Sequence, residues 1–579
     1  MNIGQKIINY MLIPLFLLCS CDNRNKQEMV KVVLEDGDYK CNNQVMNLPK
    51  GSDFTFEITL DISKSIASTS YENYSISENI INDVRYDKLT FHNVLYSSFI
   101  SLNIVDSVKI NYQVDEQIIS EYVTKNHERV NTSIDYDKYK KEGYALTGWL
   151  KGEEIISLGS RVSVDKDITL IGRYLKESDI SLFEYELLDS SRASIKRYLG
   201  NEEVVVVPNK IDGHSVISVS KDAFNDLDID ELVLPHSLAS VVNSSFNNCH
   251  IKSLVIFDNI SSINDDSFSN CQIDKVRINA AREPSFIRSY YGSYLEKFDR
   301  LYNLKDNKKI VLYGGSAVRF GFDSELIDET FKEYDVVDMG VFAYAQSYPQ
   351  IDILNNYINK EDILIVSPEF DTLETQFDLK NEVDEYLFAM CESNYDILSL
   401  LDVSKYQHFF SSFSKYQYNR NHLQTYSYLD TAYLYDEDGN YIANHSYNRY
   451  GDYIVYRKNN EERKTFGSKR AFYNKTHFPM EMIDNFNNGF KKVVEKGVTL
   501  LFDYSPRSNI SISEDSTPSS IIELDEYLKK NVDMTFISSS SDGLMDPLYF
   551  FGTDNHLSTE GVNIRTKRVV NALLNGHYI

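Results

Sequence analysis

The chain has 579 residues, a formal net charge of −27 and a hydrophobic content of 42%. This length predicts several folded domains, and the apolar fraction is ordinary for domains that bury a core. The acidic balance argues against nucleic acid as a partner, because phosphate backbones are bound by clustered Lys and Arg.

The first twenty residues predict an export signal. Lys6 supplies a positive charge, and residues 7–18 form an apolar stretch too short to span a bilayer. The following sequence, Leu18-Cys19-Ser20-Cys21, resembles the lipobox of bacterial lipoproteins, which implies a signal peptide over residues 1–20 and lipidation of Cys21. Acyl chains there would hold the protein on the extracellular face of the cell membrane. The alternative is an ordinary cleaved signal peptide.

The remaining cysteines predict neither a disulfide framework nor a metal site. They are too sparse for paired bridges, and their spacing does not match a zinc motif. We therefore expect no metal and no cofactor. These cysteines are Cys41, Cys249, Cys271 and Cys391.

Residues 21–109 predict a β-sandwich-like domain. Residues 54–60 alternate between apolar and polar side chains, which indicates a strand with one buried face. Turn residues at 36–38 and 49–52 separate such runs. The segment contains no catalytic pattern, so a spacer or binding module is expected.

Residues 110–177 predict a second small β domain. Gly143-Tyr144, Thr147-Gly148-Trp149 and the alternating strand at 168–171 resemble the internalin-type B repeat of bacterial surface proteins. The resemblance implies a surface location without a catalytic role. Within it Trp149 is expected in the core, whereas an isolated exposed tryptophan would suggest stacking on a sugar.

Residues 178–282 contain a 22-residue repeat. Phe224, Phe246 and Phe268 recur at this interval, and apolar residues at other positions recur with them. Stacked units of this kind build a continuous core. The pattern resembles the BspA-type leucine-rich repeat, and it places Cys249 and Cys271 at equivalent stacked positions. The short solenoid is either a spacer or a binding face for a host or cell-surface ligand.

Residues 283–579 alternate between apolar strands and amphipathic helices, as in a three-layer α/β domain with a parallel sheet, and two of these helices are expected over 480–495 and 521–530. The apolar run 310–313 leads into Gly314-Gly315 and then Ser316. A serine at this turn is expected at the carboxyl edge of the sheet, where α/β proteins bind ligands. An aromatic-rich insertion over about 370–479 is either a lid over the site or a structural elaboration.

The order of these blocks resembles the SGNH (GDSL-like) hydrolase and acyltransferase superfamily across the whole C-terminal half. The resemblance implies that Ser316 is the nucleophile, His556 the base and Asp554 the residue that orients the imidazole. It also implies an oxyanion hole formed by the N–H groups of Ser316 and Gly340. Serine needs such a base, because its hydroxyl is a poor nucleophile at its free pKa.

Three departures from the family pattern affect the site. Gly315 stands where the family has Asp, and Asp554-Asn555-His556 is one residue shorter than the usual Asp-x-x-His. The shorter spacing is used by alginate-type O-acetyltransferases related to the superfamily. Pro368-Glu369-Phe370 replaces the asparagine that donates to the oxyanion, and a carboxylate donates only when protonated.

The sequence therefore predicts a multidomain, surface-anchored serine esterase or O-acyltransferase. The family resemblance and the predicted location imply acyl groups on carbohydrate or cell-envelope polymers as substrates. All its predicted catalytic residues lie after residue 283, so the upstream modules are expected to position the enzyme. The alternative is a non-catalytic adhesin with a degenerate SGNH-like scaffold.

Overall fold

The computed structural model shows a multidomain, strand-rich chain. Cys21 lies outside the described residues. Within them no helix has the length and apolarity needed to cross a bilayer, and no group of three or more His, Cys, Asp or Glu side chains could hold a metal ion. The described residues are 29–41, 43–71, 74–77, 79–81, 84–125, 128–286, 289–422, 434–435, 441–443, 447–467, 471–576 and 578.

The N-terminal module is built from short sheets around one apolar core. Its strand Ser52–Asp61 alternates buried and exposed residues, because one face packs on the core that contains Phe56 and Phe91. The strands are β1 (Met29–Leu34), β2 (Lys40–Cys41), β3 (Val45–Pro49), β4 (Ser52–Asp61), β5 (Lys64–Thr69), β6 (Tyr74–Ser77), β7 (Ile80–Ile81), β8 (Val84–Val94), β9 (Ser98–Ile100) and β10 (Leu102–Val114).

The second module shares strand β10 with the first. The N-terminal part of β10 pairs with β5, and its C-terminal part pairs with β16, so one strand crosses the expected boundary at residue 110. Trp149 is fully buried and donates its indole N–H to the Thr132 carbonyl. The elements are β11 (Gln117–Lys125), β12 (Glu128–Asn131), α1 (Tyr136–Tyr139), β13 (Tyr144–Lys151), β14 (Glu154–Ile156), β15 (Arg161–Val164) and β16 (Ile168–Lys176).

The third module is a solenoid of parallel strands with the predicted 22-residue register. Ile229, Ile251 and Ile273 are aligned in neighbouring strands of one ladder. The elements are β17 (Phe183–Leu187), β18 (Arg192–Tyr198), β19 (Val204–Val206), β20 (Lys210–Ile211), β21 (His214–Val219), β22 (Phe224–Asn225), β23 (Asp228–Val233), β24 (Ser240–Val241), β25 (Phe246–Asn247), β26 (His250–Phe257), β27 (Phe268–Ser269) and β28 (Gln272–Asn279).

A ladder of aromatic rings runs through the solenoid. Phe224, Phe246 and Phe268 stack with ring centroids 4.7 and 4.9 Å apart, and Tyr198 precedes them. The next ring is Phe410, 4.4 Å from Phe268, and it belongs to the C-terminal region. The α/β domain therefore supplies the ring that covers the last repeat.

Replacement of the central ring by Phe246→Ala should destabilise the solenoid by roughly 3–5 kcal/mol, because the side chain is fully buried between two rings and would leave a cavity. Denaturant unfolding of the full chain measures this loss. The matched control is Phe99→Ala, since Phe99 is 73% exposed and should have little effect. Equal effects of the two substitutions would contradict the stacked register.

The C-terminal region contains a five-stranded parallel sheet with the spatial order β30-β29-β31-β34-β36. The first strand in sequence thus lies between the second and the third. Four short strands of this region form two separate pairs, β32 with β33 and β35 with β37. The strands of the region are β29 (Lys309–Gly314), β30 (Asp335–Gly340), β31 (Ile363–Ser367), β32 (Leu434–Tyr435), β33 (Tyr441–Ala443), β34 (Thr499–Phe502), β35 (Arg507–Ser508), β36 (Thr535–Phe536) and β37 (Leu544–Met545).

Helices cover both faces of this sheet. Ile310 and Leu312 of β29 pack in a core shared with the last helix, whereas Val311 and Tyr313 pack on the opposite face. The helices are α2 (Ser293–Asn303), α3 (Ser316–Arg319), α4 (Ser324–Thr330), α5 (Ser347–Leu354), α6 (Leu373–Gln376), α7 (Glu385–Cys391), α8 (Phe409–Asn421), α9 (Met480–Glu495), α10 (Pro518–Asn531), α11 (Ser540–Gly543) and α12 (Thr559–Asn575).

A buried polar cluster joins the solenoid to the α/β domain. Arg420 of α8 donates to Asp258 of the solenoid at 2.7 Å and lies 3.1 Å from Glu392. Tyr416 donates to Glu392, and its hydroxyl lies 2.6 Å from that of Tyr395. Removing the α/β domain would leave the buried Asp258 carboxylate without its arginine partner, which is costly.

The second module is also tied to both neighbours. Arg173 forms an ion pair with Glu231 of the solenoid at 2.7 Å. Ser157 donates its backbone N–H to Asp396 of the α/β domain at 2.9 Å. One core of buried residues continues from the solenoid into the α/β domain, whereas the core on the opposite face of the sheet, which contains Ile310 and Leu312, belongs to the α/β domain alone.

Candidate active site

The strand order brings two loops together at one edge of the sheet. Adjacent strands β29 and β31 lie where the strand order reverses, which is the position at which open α/β sheets bind ligands. Ser316 follows β29 and Glu369 follows β31. Both side chains are buried and meet at this edge.

Ser316 and His556 come together in the structure. Ser316 Oγ lies 2.8 Å from His556 Nε2, which is within hydrogen-bond reach for a nucleophile and its base. His556 is 240 residues away in sequence and is placed by the loop before α12. Its backbone N–H donates to Thr553 Oγ1, and its carbonyl accepts from the Phe551 N–H.

The two glycines before Ser316 are required by close packing. A Cβ on Gly314 would lie 2.4 Å from the Ser367 carbonyl oxygen. A Cβ on Gly315 would lie 2.5 Å from Glu369 Oε1 and 2.6 Å from the Cβ of Ala343. No side chain fits at 315, which accounts for the glycine found in place of an aspartate.

Glu369 is the third member of the site. Its Oε1 lies 3.1 Å from Ser316 Oγ and accepts from the Ala317 N–H at 2.8 Å, and its Oε2 accepts from Asn555. Burial, followed by the nearby charge of Asp371, raises the pKa of Glu369 to about 7 against the opposing effect of these donors. The carboxyl is therefore neutral in the folded protein below about pH 7.

His556 is held in its neutral form. Burial, followed by the positive charges of Arg457, Arg319 and Arg507, lowers the pKa of His556 to about 3. At neutral pH its Nε2 is therefore free of a second proton and can accept one from Ser316. An acid limb of activity governed by this histidine would lie well below pH 6.5, the ordinary value for the side chain.

The structure does not bring Asp554 to His556. The Asp554 carboxylate accepts from the backbone N–H groups of Phe466 and Gly467, the latter at 2.9 Å. Among the described residues no hydrogen bond is made to His556 Nδ1. Asp554 thus fixes the 466–467 loop through these backbone hydrogen bonds.

Gly340 does not present a free donor. Its N–H donates to Asp338 Oδ1 at 2.6 Å, and a Cβ at this position would lie 2.2 Å from the Arg319 nitrogen. Gly340 therefore serves close packing of β30 against α3. Ser316, by contrast, begins α3, where backbone N–H groups lack an acceptor within the helix.

The comparisons with known proteins concern the solenoid. Residues 217–327 match the family described as BspA type leucine rich repeat region, in six copies. The array is a BspA-type leucine-rich repeat. The predicted 22-residue repeat is thereby confirmed. The match continues past β28 to residue 327, but the parallel strands of the solenoid end at Asn279 among the described residues, so the geometry sets its limit.

One similar solved structure is the crystal structure of a T. pallidum leucine rich repeat protein. It is 21% identical, and the match covers 18% of this chain and 71% of that chain with a TM-score of 0.12. A comparison with curated proteins finds no match.

Sequence reasoning missed three parts of the site. Glu369 was recognised as a replaced asparagine, but its contact with Ser316 needs the strand order that places β31 beside β29. Asn555 lies between two predicted residues and donates to Glu369. Arg457 comes from the insertion, and no sequence pattern distinguishes it from the surrounding charged residues.

The substitution Glu369→Gln should change how stability depends on pH. As pH rises, Glu369 loses its carboxyl proton near pH 4.5 in the unfolded chain, whereas it keeps that proton to about pH 7 in the folded protein. Folding therefore becomes less favourable across this window, by about 3 kcal/mol once pH exceeds 7. Glutamine does not titrate, so the variant should gain that amount relative to wild type between pH 4.5 and 8.

Denaturant unfolding of wild type and Glu369→Gln at the two ends of this pH range measures the difference in their free energies of unfolding. The control is Glu523→Gln, an exposed glutamate paired with Lys475, which should leave the pH dependence of wild type nearly unchanged. Parallel pH curves for wild type and Glu369→Gln would contradict the raised pKa.

Proposed function

We propose that the α/β domain is a serine acyl hydrolase or acyltransferase. The observation that carries the proposal is the 2.8 Å contact between Ser316 Oγ and His556 Nε2 at the carboxyl edge of the parallel sheet. A serine becomes a competent nucleophile when an adjacent neutral imidazole accepts its proton. The low pKa of His556 supports this protonation state at neutral pH.

The reaction would follow the usual two-step course of serine acyl transfer. His556 Nε2 accepts the Ser316 proton as Oγ attacks the carbonyl carbon of an ester. The bond to the leaving oxygen then breaks, and His556 returns the proton to that oxygen. Water or a sugar hydroxyl attacks the resulting acyl-serine with His556 again as base, and Oγ leaves with the proton.

Glu369 supplies a donor in this mechanism when it is protonated. A neutral carboxyl group carries an O–H, and a carboxyl with a raised pKa can donate to an oxygen that gains negative charge. Its position beside Ser316 Oγ and its pKa of about 7 support this role. It would take the place of the asparagine donor of SGNH-like enzymes.

The resemblance to the SGNH superfamily supports ester-linked acyl groups on carbohydrate or envelope polymers as substrates. The lipobox at Cys21 supports an exported protein anchored in the cell membrane with its domains outside. In this arrangement the leucine-rich repeats would hold a host or cell-surface ligand near the catalytic domain.

A second candidate function is a non-catalytic adhesin. Two observations favour it: Asp554 contacts a loop and not His556, and the Gly340 N–H is already used by Asp338. A binding role for the leucine-rich repeats suits either function.

A fluorophosphonate probe tests the proposal on the full-length chain. The probe should phosphonylate Ser316 in the wild type, and mass spectrometry of peptides would locate the adduct. Ser316→Ala should abolish labelling, whereas Ser519→Ala, which removes an exposed hydroxyl, should not. A folded wild-type chain that takes no label and cleaves no acyl ester would favour the adhesin.

A further inference from the structure

Arg457 is held next to the Ser316–His556 pair by its own backbone. Its N–H donates to Thr559 Oγ1, and its carbonyl accepts from the Thr559 N–H, both at 3.0 Å. Thr559 begins α12 three residues after His556. These two hydrogen bonds fix the backbone of Arg457, from which its side chain extends, relative to His556.

One aromatic ring separates the Arg457 guanidinium from the imidazole. Its carbon Cζ lies 5.6 Å from the centroid of the Phe320 ring, and that ring lies 4.3 Å from the ring of His556. Phe320 follows α3, and its N–H donates to the Ser316 carbonyl. The guanidinium is thus close enough to the imidazole for its positive charge to lower the pKa of His556.

The guanidinium is buried without an acceptor. Arg457 is 5% exposed, yet its Nε and Nη1 atoms make no hydrogen bond among the described residues. Stacking on Phe320 and Tyr453 contacts its faces and leaves its donors unused. A buried charge with unmade hydrogen bonds is costly, so an arrangement of this kind calls for an anionic partner.

The two other arginines near His556 are already engaged. Arg319 donates to the Tyr290 carbonyl at 2.9 Å, and Arg507 donates to Asp371 at 2.8 Å. Arg457 differs from them in having two buried guanidinium nitrogens, Nε and Nη1, without a protein acceptor among the described residues. All three add positive charge to this site in a chain whose net charge is −27.

We propose that Arg457 forms an oxyanion-binding subsite that selects acyl substrates carrying a carboxylate or phosphate group near the ester. The guanidinium presents its donors in a planar fork that matches either group in a bidentate manner. This subsite deepens the proposed serine acyl transfer, and its use in catalysis rests on that function. Binding of the anion by Arg457 does not depend on that function.

Two esters with four-carbon acyl groups test selection by the full-length protein. p-Nitrophenyl hydrogen succinate carries a carboxylate, whereas p-nitrophenyl butyrate is neutral and similar in length. We expect a higher kcat/KM for the succinate ester. Arg457→Gln should lower the ratio of the two kcat/KM values about 10- to 100-fold, the contribution of a hydrogen bond to a charged group.

The matched control is Arg463→Gln. Arg463 is exposed and paired with Asp546, so this substitution should leave the ratio unchanged. Arg457→Lys keeps the charge without the fork and should lower the ratio by less than Arg457→Gln. If Arg457→Gln does not fold, an unchanged ratio in Arg457→Lys overturns the proposal, as does a wild type that does not favour the anionic ester while hydrolysing both.

Calorimetric titration separates the subsite from the proposed function. Succinate and inorganic phosphate are titrated separately into the full-length Ser316→Ala chain, and the tighter of the two identifies the preferred oxyanion. Adding Arg457→Gln should weaken saturable binding at least about tenfold. Absence of saturable binding, or binding that Arg457→Gln leaves unchanged, overturns the subsite.

The two tests fail in different ways. A wild type that hydrolyses neither ester, together with anion binding that depends on Arg457, refutes the enzyme and supports the subsite. Hydrolysis of both esters with a ratio insensitive to Arg457 refutes the subsite and supports the enzyme.

Discussion

Ser316→Ala and His556→Ala should each lower kcat for acyl-ester turnover by at least about 10³-fold, because nucleophile and base act as one unit. Rates with p-nitrophenyl butyrate measure the effect in the full-length chain. The controls are Ser519→Ala and His422→Ala, which replace exposed residues of the same two types and should keep wild-type rates.

The double variant Ser316→Ala/His556→Ala provides the stricter comparison. Without a serine hydroxyl the base has no proton to accept, so the second substitution should add little to the first. Losses that multiply would indicate that the two side chains act independently, in spite of the 2.8 Å between them.

Asp503→Asn should destabilise the α/β domain by about 3–5 kcal/mol, because it leaves two guanidinium groups uncompensated at the carboxyl edge of the sheet. Asp503 accepts from Arg565 at 2.8 Å and from Arg568 at 2.7 Å. Burial alone would raise the pKa of Asp503, but the two arginines hold it below its usual value. Arg565 also donates to the Ala317 carbonyl, next to Ser316.

Denaturant unfolding of the full chain measures this loss against Glu523→Gln. Glu523 pairs with Lys475 on the surface at 2.9 Å, and such pairs contribute about 0–1 kcal/mol. Similar losses for the two variants would show that Asp503 is not needed to neutralise Arg565 and Arg568.

Much of the fold follows from local patterns in the sequence. The helix expected over 480–495 is observed as Met480–Glu495, since its apolar residues lie on one face. The helix expected over 521–530 begins earlier, at Pro518, because Thr517 caps it through the Ser520 N–H and proline suits the first turn. Caps of this kind extend helices beyond their periodic stretch.

The candidate site could be predicted only in part. Ser316 is placed by its own strand and turn, and His556 by the start of α12, so sequence order was enough to pair them. The direction of a side chain within a tight loop has no periodic signature, and the prediction that Asp554 orients His556 rested on the resemblance to the SGNH superfamily. Glu369 and Arg457 depend on strand order and on how the insertion returns to the sheet.

The boundaries of the modules could not be predicted from local sequence patterns either. Strand β10 serves two modules, and Phe410 completes a ladder that begins more than 200 residues earlier. Neither feature has a local signal, because each depends on a surface that another part of the chain provides.

The attachments of the solenoid have a consequence for its evolution. Repeat arrays gain and lose units readily when each unit contacts only its neighbours. Here the second module contacts the array at Glu231, and the same module contacts the α/β domain at Asp396. Phe410 of the α/β domain covers the last repeat. Inserting one unit would shift these contacts by about 4.8 Å, the spacing of adjacent strands. Homologous chains should therefore keep a constant repeat number between Glu231 and Phe268, whatever their sequences do elsewhere.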